Sequence, residues 1–486
     1  MKPNFLKITL VGALLVGAGA CQKSFLEVAP QGEFTADDFS RNPQAAEGLV
    51  NAIYNKMLDW NFHSFSWNGV SSITSDDADK GSDPGDTGAD KHELDGYTFT
   101  PTSLSFNEVW EGHYQAIARA NQALTFLPGQ ELPAALKARL VGEASFLRAY
   151  FYFNLVRTFG GVPLVTRVPD VNNAADLEAG RTRATAAQVY AQIEQDLATA
   201  IAGLPVKGQT DVGRVTKGAA QALLAKVSMY QRKWPQVLAL TDSIIASGRY
   251  ALAADYATIW REEGENNIES LFEIQGKGTV PVKGVQGYVE SQGVRGQIGW
   301  GFNTPTADLA AAYDSTDKRR QATIIFAGET LWDGLKINAN PPNPRYNEKA
   351  YVSQTRETFG GALWETNKNI RVLRFAEVLL MNAEAANELG QSAKALEALN
   401  RVRVRAGVLP LTATGQAALR TAIYNERRLE LAFEHDRTFD LRRQGRAGVV
   451  LRAHGKPYVD GKHDLFPIPQ RQIDLSGGKL TQNPGY

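Results

Sequence analysis

Residues 140–164 read LVGEASFLRAYFYFNLVRTFGGVPL, and this stretch decides the architecture. Leu140, Ala144, Leu147, Phe151 and Leu155 recur at helical spacing, while Tyr150, Phe153 and Val156 carry the apolar face almost around the axis. A helix apolar on nearly every side is buried on nearly every side. Glu143, Arg148 and Arg157 interrupt it, and it offers no unbroken apolar run of about 20 residues, so it does not read as a membrane span. Gly160 and Gly161 permit the stop that a helix C-terminus favours, and Pro163 prevents continuation. The stretch predicts the central helix of a large helical bundle.

Outward from this helix, the pattern alternates between strong helical periodicity and none. Asn42-Pro43 offers an N-cap followed by Pro at the first helical position, opening a helix with Leu49, Val50, Ile53, Tyr54 and Met57 inward. Residues 187–204 are amphipathic; 219–232 with 234–246, and 375–389 with 392–405, read as helical hairpins. Their lengths and small residues resemble tetratricopeptide units without a clean 34-residue repeat, and such hairpins stack because none buries its inner face alone. Periodicity fails over 59–102 and over 275–365, where Gly, Ser, Asp, Asn and Pro mix with scattered aromatics. Loops this long within a compact domain are commonly functional. The fold class is mostly α, helical hairpins plus an irregular half with short strands. At 486 residues the chain exceeds the roughly 250–300 at which single cores stop growing, so more than one lobe is expected. The expected division is a signal peptide over 1–20, an N-terminal helical region over 21–275 with its loop, an irregular inserted lobe over 276–365, and a C-terminal helical region over 366–486.

The N-terminus reads as an address. Lys2 and Lys7 precede an apolar run over 8–20, and the protein's single cysteine, Cys21, ends it. A lone thiol makes no internal disulfide in the oxidising compartment to which such a leader points. Cys21 is therefore the expected lipidation site of a lipoprotein, although Ala18 stands where a lipobox usually has Leu. Several acyl chains together would hold the protein stably at a membrane.

Charge excludes one class of function. Lys+Arg and Asp+Glu are equal at 52 each, so no global field would gather nucleic acid. Catalysis has no positive signal: there is no phosphate-binding G-x-x-x-x-G-K-S/T, no G-x-S-x-G and no H-E-x-x-H, and the six histidines are scattered. Glu426, Glu430 and Glu434 lie four apart among Arg427, Arg428 and Arg437, a pattern more often an ion network than an acid–base pair. Glu143 with Arg148, and Glu384 with Arg374, read as internal latches. The run SDDADKGSDPGD brings Asp76, Asp77, Asp79, Asp83 and Asp86 together, hard oxygen donors of the kind calcium takes. It departs from an EF-hand, because Gly81 is fifth counting from Asp77 and Gly88 occupies position twelve. A calcium loop and a solvated acidic turn both remain open; no other cofactor is implied.

Aromatic residues in the aperiodic segments are the strongest ligand signal. Trp60 and Trp67, with Phe62 and Phe65, fall in the first; Tyr288, Trp300, Phe302 and Trp332 fall in the second. Exposed aromatic faces suit flat, partly apolar ligand faces such as sugar rings, each contact contributing ~0.5–1.5 kcal/mol beyond burial. The alternative is that they fill small cores. Trp110, Trp260 and Trp364 sit beside helical or strand-like patterns and read as core.

Several motifs in order then resemble the RagB/SusD family of outer-membrane nutrient-binding lipoproteins. After Cys21 come FLEVAPQGEF (25–34), IARANQAL (117–124) and GEASFLRAYFYFNLVRTFGGVPLV (142–165). RVLRFAEVLLMNAEAANELG (371–390), LNRVRVRAG (399–407), NERRLELAFEHDRTFDLRRQGR (425–446), FPIP and the ending QNPGY complete the series. The resemblance implies a SusD-like fold of four tetratricopeptide-like hairpins supporting an irregular ligand-binding half. It further implies a lipid-anchored, surface-exposed outer-membrane protein that binds oligosaccharides, or in some members peptides. Such a protein acts as the lid of a SusC-type TonB-dependent transporter and performs no chemistry on the ligand. No site residue carries over by motif. A periplasm-facing lipoprotein scaffold that binds partner proteins through its helical repeats is the rival reading.

Overall fold

The computed structural model describes residues 42–486 apart from 84, 87, 280–283, 286, 413 and 414. The expected signal segment and Cys21 lie outside the described residues. Among the described residues nine long helices carry the scaffold: α1 (Pro43–Lys56), α2 (Leu104–Phe126), α3 (Ala134–Phe159), α4 (Ala186–Gly203), α5 (Lys217–Tyr230), α6 (Trp234–Ala246), α7 (Phe375–Glu388), α8 (Ser392–Arg405) and α9 (Gln416–Glu430). They pack as four antiparallel pairs, α1 with α2, α3 with α4, α5 with α6 and α7 with α8, each pair resting on the next. Helix α9 closes the stack against α7 and α8.

Local chemistry sets the ends of these helices. Asn42 Oδ1 accepts from the Gln44 backbone N–H at 2.9 Å, with Pro43 in the first helical position. Thr185 and Gln188 form a reciprocal capping box at the start of α4. Helix α3 is the predicted central helix. Every residue from Gly142 to Phe159 is buried, so it sits inside the stack. It stops at Gly160, whose φ of 75° and ψ of −134° suit glycine almost alone.

The aperiodic segments contain more structure than their sequence suggests. Between α1 and α2 the chain forms two single-turn helices (Trp60–His63 and Phe65–Asn68), a π-helical turn (Gly69–Ile73), strand β1 (Ala78–Gly81) and a helix (Ala89–Asp95). None exceeds seven residues, too short to display a 3.6-residue period. Helices so short draw their stability from packing rather than propensity.

Strands β2 (Ser270–Ile274) and β6 (Ile370–Arg374) pair antiparallel, so the segment between them leaves and re-enters the helical stack at one place. Within it, β3 (Phe302–Pro305) pairs with β1, and β4 (Ile324–Phe326) pairs with β5 (Arg345–Asn347), all antiparallel. The β1–β3 ribbon, with Gly81 opposite Phe302, ties the first aperiodic segment to the second. Small cores of their own, such as Val294, Ile298, Ile325, Leu331, Ile337, Tyr346 and Tyr351, lie beneath these strands.

Buried ion pairs join the irregular half to the stack. Glu430 receives Arg319 at 3.1 Å, Arg374 at 3.1 Å and Arg405 at 2.5 Å. Glu434 takes Arg374 and Lys349, both at 2.7 Å, and Glu426 takes Arg319 at 2.6 Å and Arg403 at 2.8 Å. The three carboxylates thus form an ion network. A second network centres on Asp436, held by Arg157 at 2.7 Å and Lys226 at 2.6 Å. Burial pushes Asp436 up, but Lys226 and Arg157 outweigh it and hold it well below the usual carboxylate range.

Two expected latches exist with other partners. Glu143 pairs with Arg139 at 2.7 Å and Arg214 at 3.0 Å, while Arg148 grips Asp196 at 2.7 Å. Residues five apart on a helix point about 140° apart, so Glu143 and Arg148 face different neighbours. Glu384 pairs with Arg443 at 2.6 Å; Arg374 is committed to the Glu430 network.

Candidate functional site

Trp60, Phe65, Trp300 and Phe302 come from two segments more than 230 residues apart and meet in one aromatic cluster. Ring centroids lie 6.0 Å apart for Trp60–Trp300, 6.2 Å for Trp60–Phe65, 5.9 Å for Phe65–Trp300 and 4.7 Å for Phe65–Phe302. Most are tilted or edge-on, the arrangement that ring quadrupoles prefer. Trp60, Phe65 and Trp300 are half-buried; Phe302, 6% exposed, props them from below.

Each ring is fixed from behind. Gly287, at φ 69°, lets the backbone lie against Trp60, since a Cβ there would stand 2.2 Å from the indole. The Trp300 backbone N–H donates to the Glu290 carbonyl at 2.8 Å, and its carbonyl accepts from Arg295 Nη1 at 3.2 Å. The Glu290 carboxyl is raised by burial, partly offset by a hydrogen bond from the Trp300 side chain. Lys91 Nζ sits 4.0 Å from the Phe65 centroid, and Lys80 Nζ 5.5 Å from that of Phe302. The result is a pre-positioned surface that can receive the apolar face of a flat ligand.

Along the same β1–β3 ribbon opens a cleft of about 330 Å³. Asp79, Lys80, His92, Asp95, Asn343 and Arg345 line it together with the ribbon's backbone. Lys80 belongs to both features, because it lines the cleft while its ammonium, salt-bridged to Asp86 at 2.9 Å, reaches the Phe302 ring. Arg345 Nε donates to the Pro305 carbonyl at 2.8 Å. Burial, then the nearby Asp95, raises the Asp79 carboxyl.

The other sequence candidates lie elsewhere. Trp67 is 1% exposed, packed between His63, His113 and Phe439 with Arg157 over its ring, so it is core and not a platform. Phe62 is likewise core. Tyr288, 6% exposed, joins the main hydrophobic core and stands against His435. Both Trp67 and Tyr288 flank the scaffold, and burial of their large apolar surface fixed their orientation. Trp332 is exposed at a hairpin tip with Arg261 beneath it at 4.3 Å, and Tyr351 is its ring neighbour. Trp364, expected in the core, is 45% exposed; the hairpin closed by the Gly360 N–H to Glu365 carbonyl bond turns it outward. Trp110 and Trp260 are buried.

The aspartates do not converge on a cation. Arg437 grips Asp76 at 2.7 Å and Arg428 grips Asp77 at 2.6 Å, both far along the chain. Burial raises Asp76, yet Arg437 overrides it and brings the carboxyl down to about 2. Asp83 accepts from the Gly85 N–H, and Asp86 is tied to Lys80. Among the described residues no three His, Cys, Asp or Glu side chains stand as a metal site. The calcium loop is replaced by a latch: two arginines from the C-terminal helices pin the start of β1. Sequence spacing shows the donors but not the distant arginines that neutralise them.

Glu290, Arg295 and Arg345 complete the site beyond the sequence candidates, among which Phe65 already stood. Phe65 carried an aromatic signal; the three charged residues carried none, because only the ribbon brings them beside the cluster.

Comparison with known proteins agrees with this architecture. Residues 269–486 match the SusD family, and residues 25–229 match a family described as starch-binding associating with outer membrane. The chain is 28% identical to SusD-like protein P2 of Formosa agariphila, over 99% of both chains. It superposes on a laminarin-binding SusD-like protein with a TM-score of 0.79 at 29% identity, covering 92% of this chain and 100% of that one. Surface glycan-binding protein A of Bacteroides thetaiotaomicron, solved in complex with laminarihexaose, gives a TM-score of 0.77 at 25% identity, covering 91% of this chain and 99% of that one. With two consecutive family matches, relatives aligned end to end and the four-hairpin stack itself, the chain belongs to the RagB/SusD family.

Proposed function

We propose that this protein is a non-catalytic, lipid-anchored nutrient-binding protein of the outer-membrane surface. It captures an oligosaccharide and serves as the lid of a SusC-type TonB-dependent transporter. The observation that carries the binding half of this reading is the meeting of Trp60, Phe65 and Trp300 as a half-buried platform on a rigid stack. Platforms held in place before binding lose little entropy when a ligand arrives. The glycan-binding relatives with the same fold support the ligand class. The outer-membrane description of the family matching residues 25–229 supports the address. The leader and Cys21 would supply the anchor.

Titration calorimetry of the full-length protein in detergent with laminarihexaose and a panel of other oligosaccharides tests the binding. Saturable heat without release of reducing ends supports the reading; hydrolysis of the ligand, or no binding to any saccharide, ends it. Copurification of a TonB-dependent transporter from its own membranes tests the lid, and Cys21→Ser tests the anchor by release from the membrane fraction.

A further inference from the structure

The charges around the platform fall into two groups. Lys80 and Lys91 are spent on Asp86 and Asp90, at 2.9 and 2.7 Å, and Asp95 is spent on Lys456 at 2.7 Å. Asp79 and Glu290, Arg295 and Arg345 have no ion-pair partner among the described residues; the arginines donate only to backbone carbonyls. His92, exposed, also lines the cleft. One carboxylate and one guanidinium without an ion pair thus line the cleft, and one of each stands beside Trp300.

Such a surface distinguishes ligands by charge. A uronate or sulfate group would meet Arg345 and Arg295 but would be forced against Asp79 and Glu290, and like charges close together are penalised. A hydroxyl suffers no such conflict, because it donates to a carboxylate and accepts from a guanidinium. Charge-assisted hydrogen bonds of both senses are also the stronger kind. We propose that the ligand is an uncharged oligosaccharide whose ring faces lie on Trp60 and Trp300 while its hydroxyls are bound in the Asp79–Arg345 cleft. This rests on the glycan-binding reading above and adds the charge class and the residues that select it.

The test is a sign. Full-length protein is titrated with neutral oligosaccharides, with oligogalacturonate and with a sulfated oligosaccharide, each at low and high salt. A neutral sugar is expected to bind with less than about twofold change between salts, since no ionic attraction is available for screening. Asp79→Asn and Arg345→Gln are each expected to weaken it roughly tenfold, the loss of a hydrogen bond to a charged group, with unchanged melting temperature. Preferred binding of an acidic glycan, steeply lost with salt and strengthened by Asp79→Asn, overturns the charge class while leaving glycan binding intact. Neutral binding untouched by both substitutions overturns the cleft assignment. Failure of all sugars to bind ends both this proposal and the reading beneath it.

Discussion

The helical stack and the irregular half treat charge in opposite ways. Deep in the stack, Asp436 has Arg157 and Lys226, and Glu430 has three arginines around it. Around the aromatic cluster, Asp79, Glu290, Arg295 and Arg345 are half-exposed or in a cleft and form no ion pair among the described residues. A fully buried ion left alone costs several kcal/mol, so a scaffold either pairs its charges or loses them. A half-solvated ion bears no such penalty and keeps its hydrogen-bonding capacity for something else. The same contrast runs through the tryptophans: Trp67 is sealed into the scaffold, whereas Trp60 and Trp300 are braced from behind and open in front.

The largest effects expected are those that break the scaffold side. Asp436→Ala leaves Arg157 buried without a counter-charge and Lys226 with Glu377 alone, at 3.0 Å, and is expected to cost about 3–5 kcal/mol in urea denaturation. Trp67→Ala opens a cavity beneath His63 and Phe439 and is expected to cost about 3–5 kcal/mol as well. A loss below about 1 kcal/mol for either would mean that the stack does not depend on what it buries. Trp300→Ala should invert the pattern. It is expected to lower glycan affinity about tenfold, near the ~1.5 kcal/mol that a stacked ring contributes, while the melting temperature moves by only a few degrees. Calorimetry and thermal melts on the same samples of Trp67→Ala and Trp300→Ala would separate the two kinds of tryptophan.

Acid and base should loosen two segments of the irregular half in opposite directions, the Asp76 latch before β1 and the stretch around Glu348 after β5. Asp76 falls to about 2 in the folded protein, burial being outweighed by Arg437, against an ordinary value near 4. Its contribution is thus present above pH ~4 and is lost as pH drops towards 2. Glu348 goes the other way: burial pushes it up to about 7 despite the Arg261 partner at 2.8 Å. Its contribution is complete below pH ~4.3 and is lost as pH rises through 7. Hydrogen exchange, corrected for intrinsic rates, should therefore show the Asp76 latch opening at acid pH. Residues 345–347 should open between pH 5 and 8. Identical pH profiles for both segments would remove the distinction.

How much of this was legible in the sequence follows from the range of the forces. Helix α3 declared itself because burial on all sides leaves an apolar pattern within one helix. The hairpins α5–α6 and α7–α8 were legible because each joins neighbours in sequence. The Glu430 network was visible as a pattern, but its members Arg319 and Arg374 were not, since they arrive from outside the helix. The site failed for the same reason. Trp60, Trp67, Trp300 and Trp332 look alike as letters in aperiodic runs. Only the β1–β3 pairing, which sets Gly81 opposite Phe302, determines that Trp60 and Trp300 meet while Trp332 does not join them. The aspartates misled similarly, since Asp76 and Asp77 are adjacent to Asp79 in sequence but point at arginines some 350 residues away.

Trp332 offers the finest test of the contrast. It is an exposed tryptophan in the irregular half, yet no ring of the platform stands beside it; Arg261 supports one face, and Asp333 anchors its hairpin through the Tyr351 and Ser353 hydroxyls at 2.5 and 2.6 Å. If exposure alone made a binding residue, Trp332→Ala would reduce affinity as Trp300→Ala does. If the braced cluster is what binds, the substitution loses the contacts with Arg261 and the edge of Tyr351, about 1 kcal/mol of stability at an exposed position, and calorimetry returns the wild-type affinity for a hexasaccharide. A tenfold loss would extend the platform across the Val294–Tyr351 core to the hairpin tip and require a ligand long enough to span it.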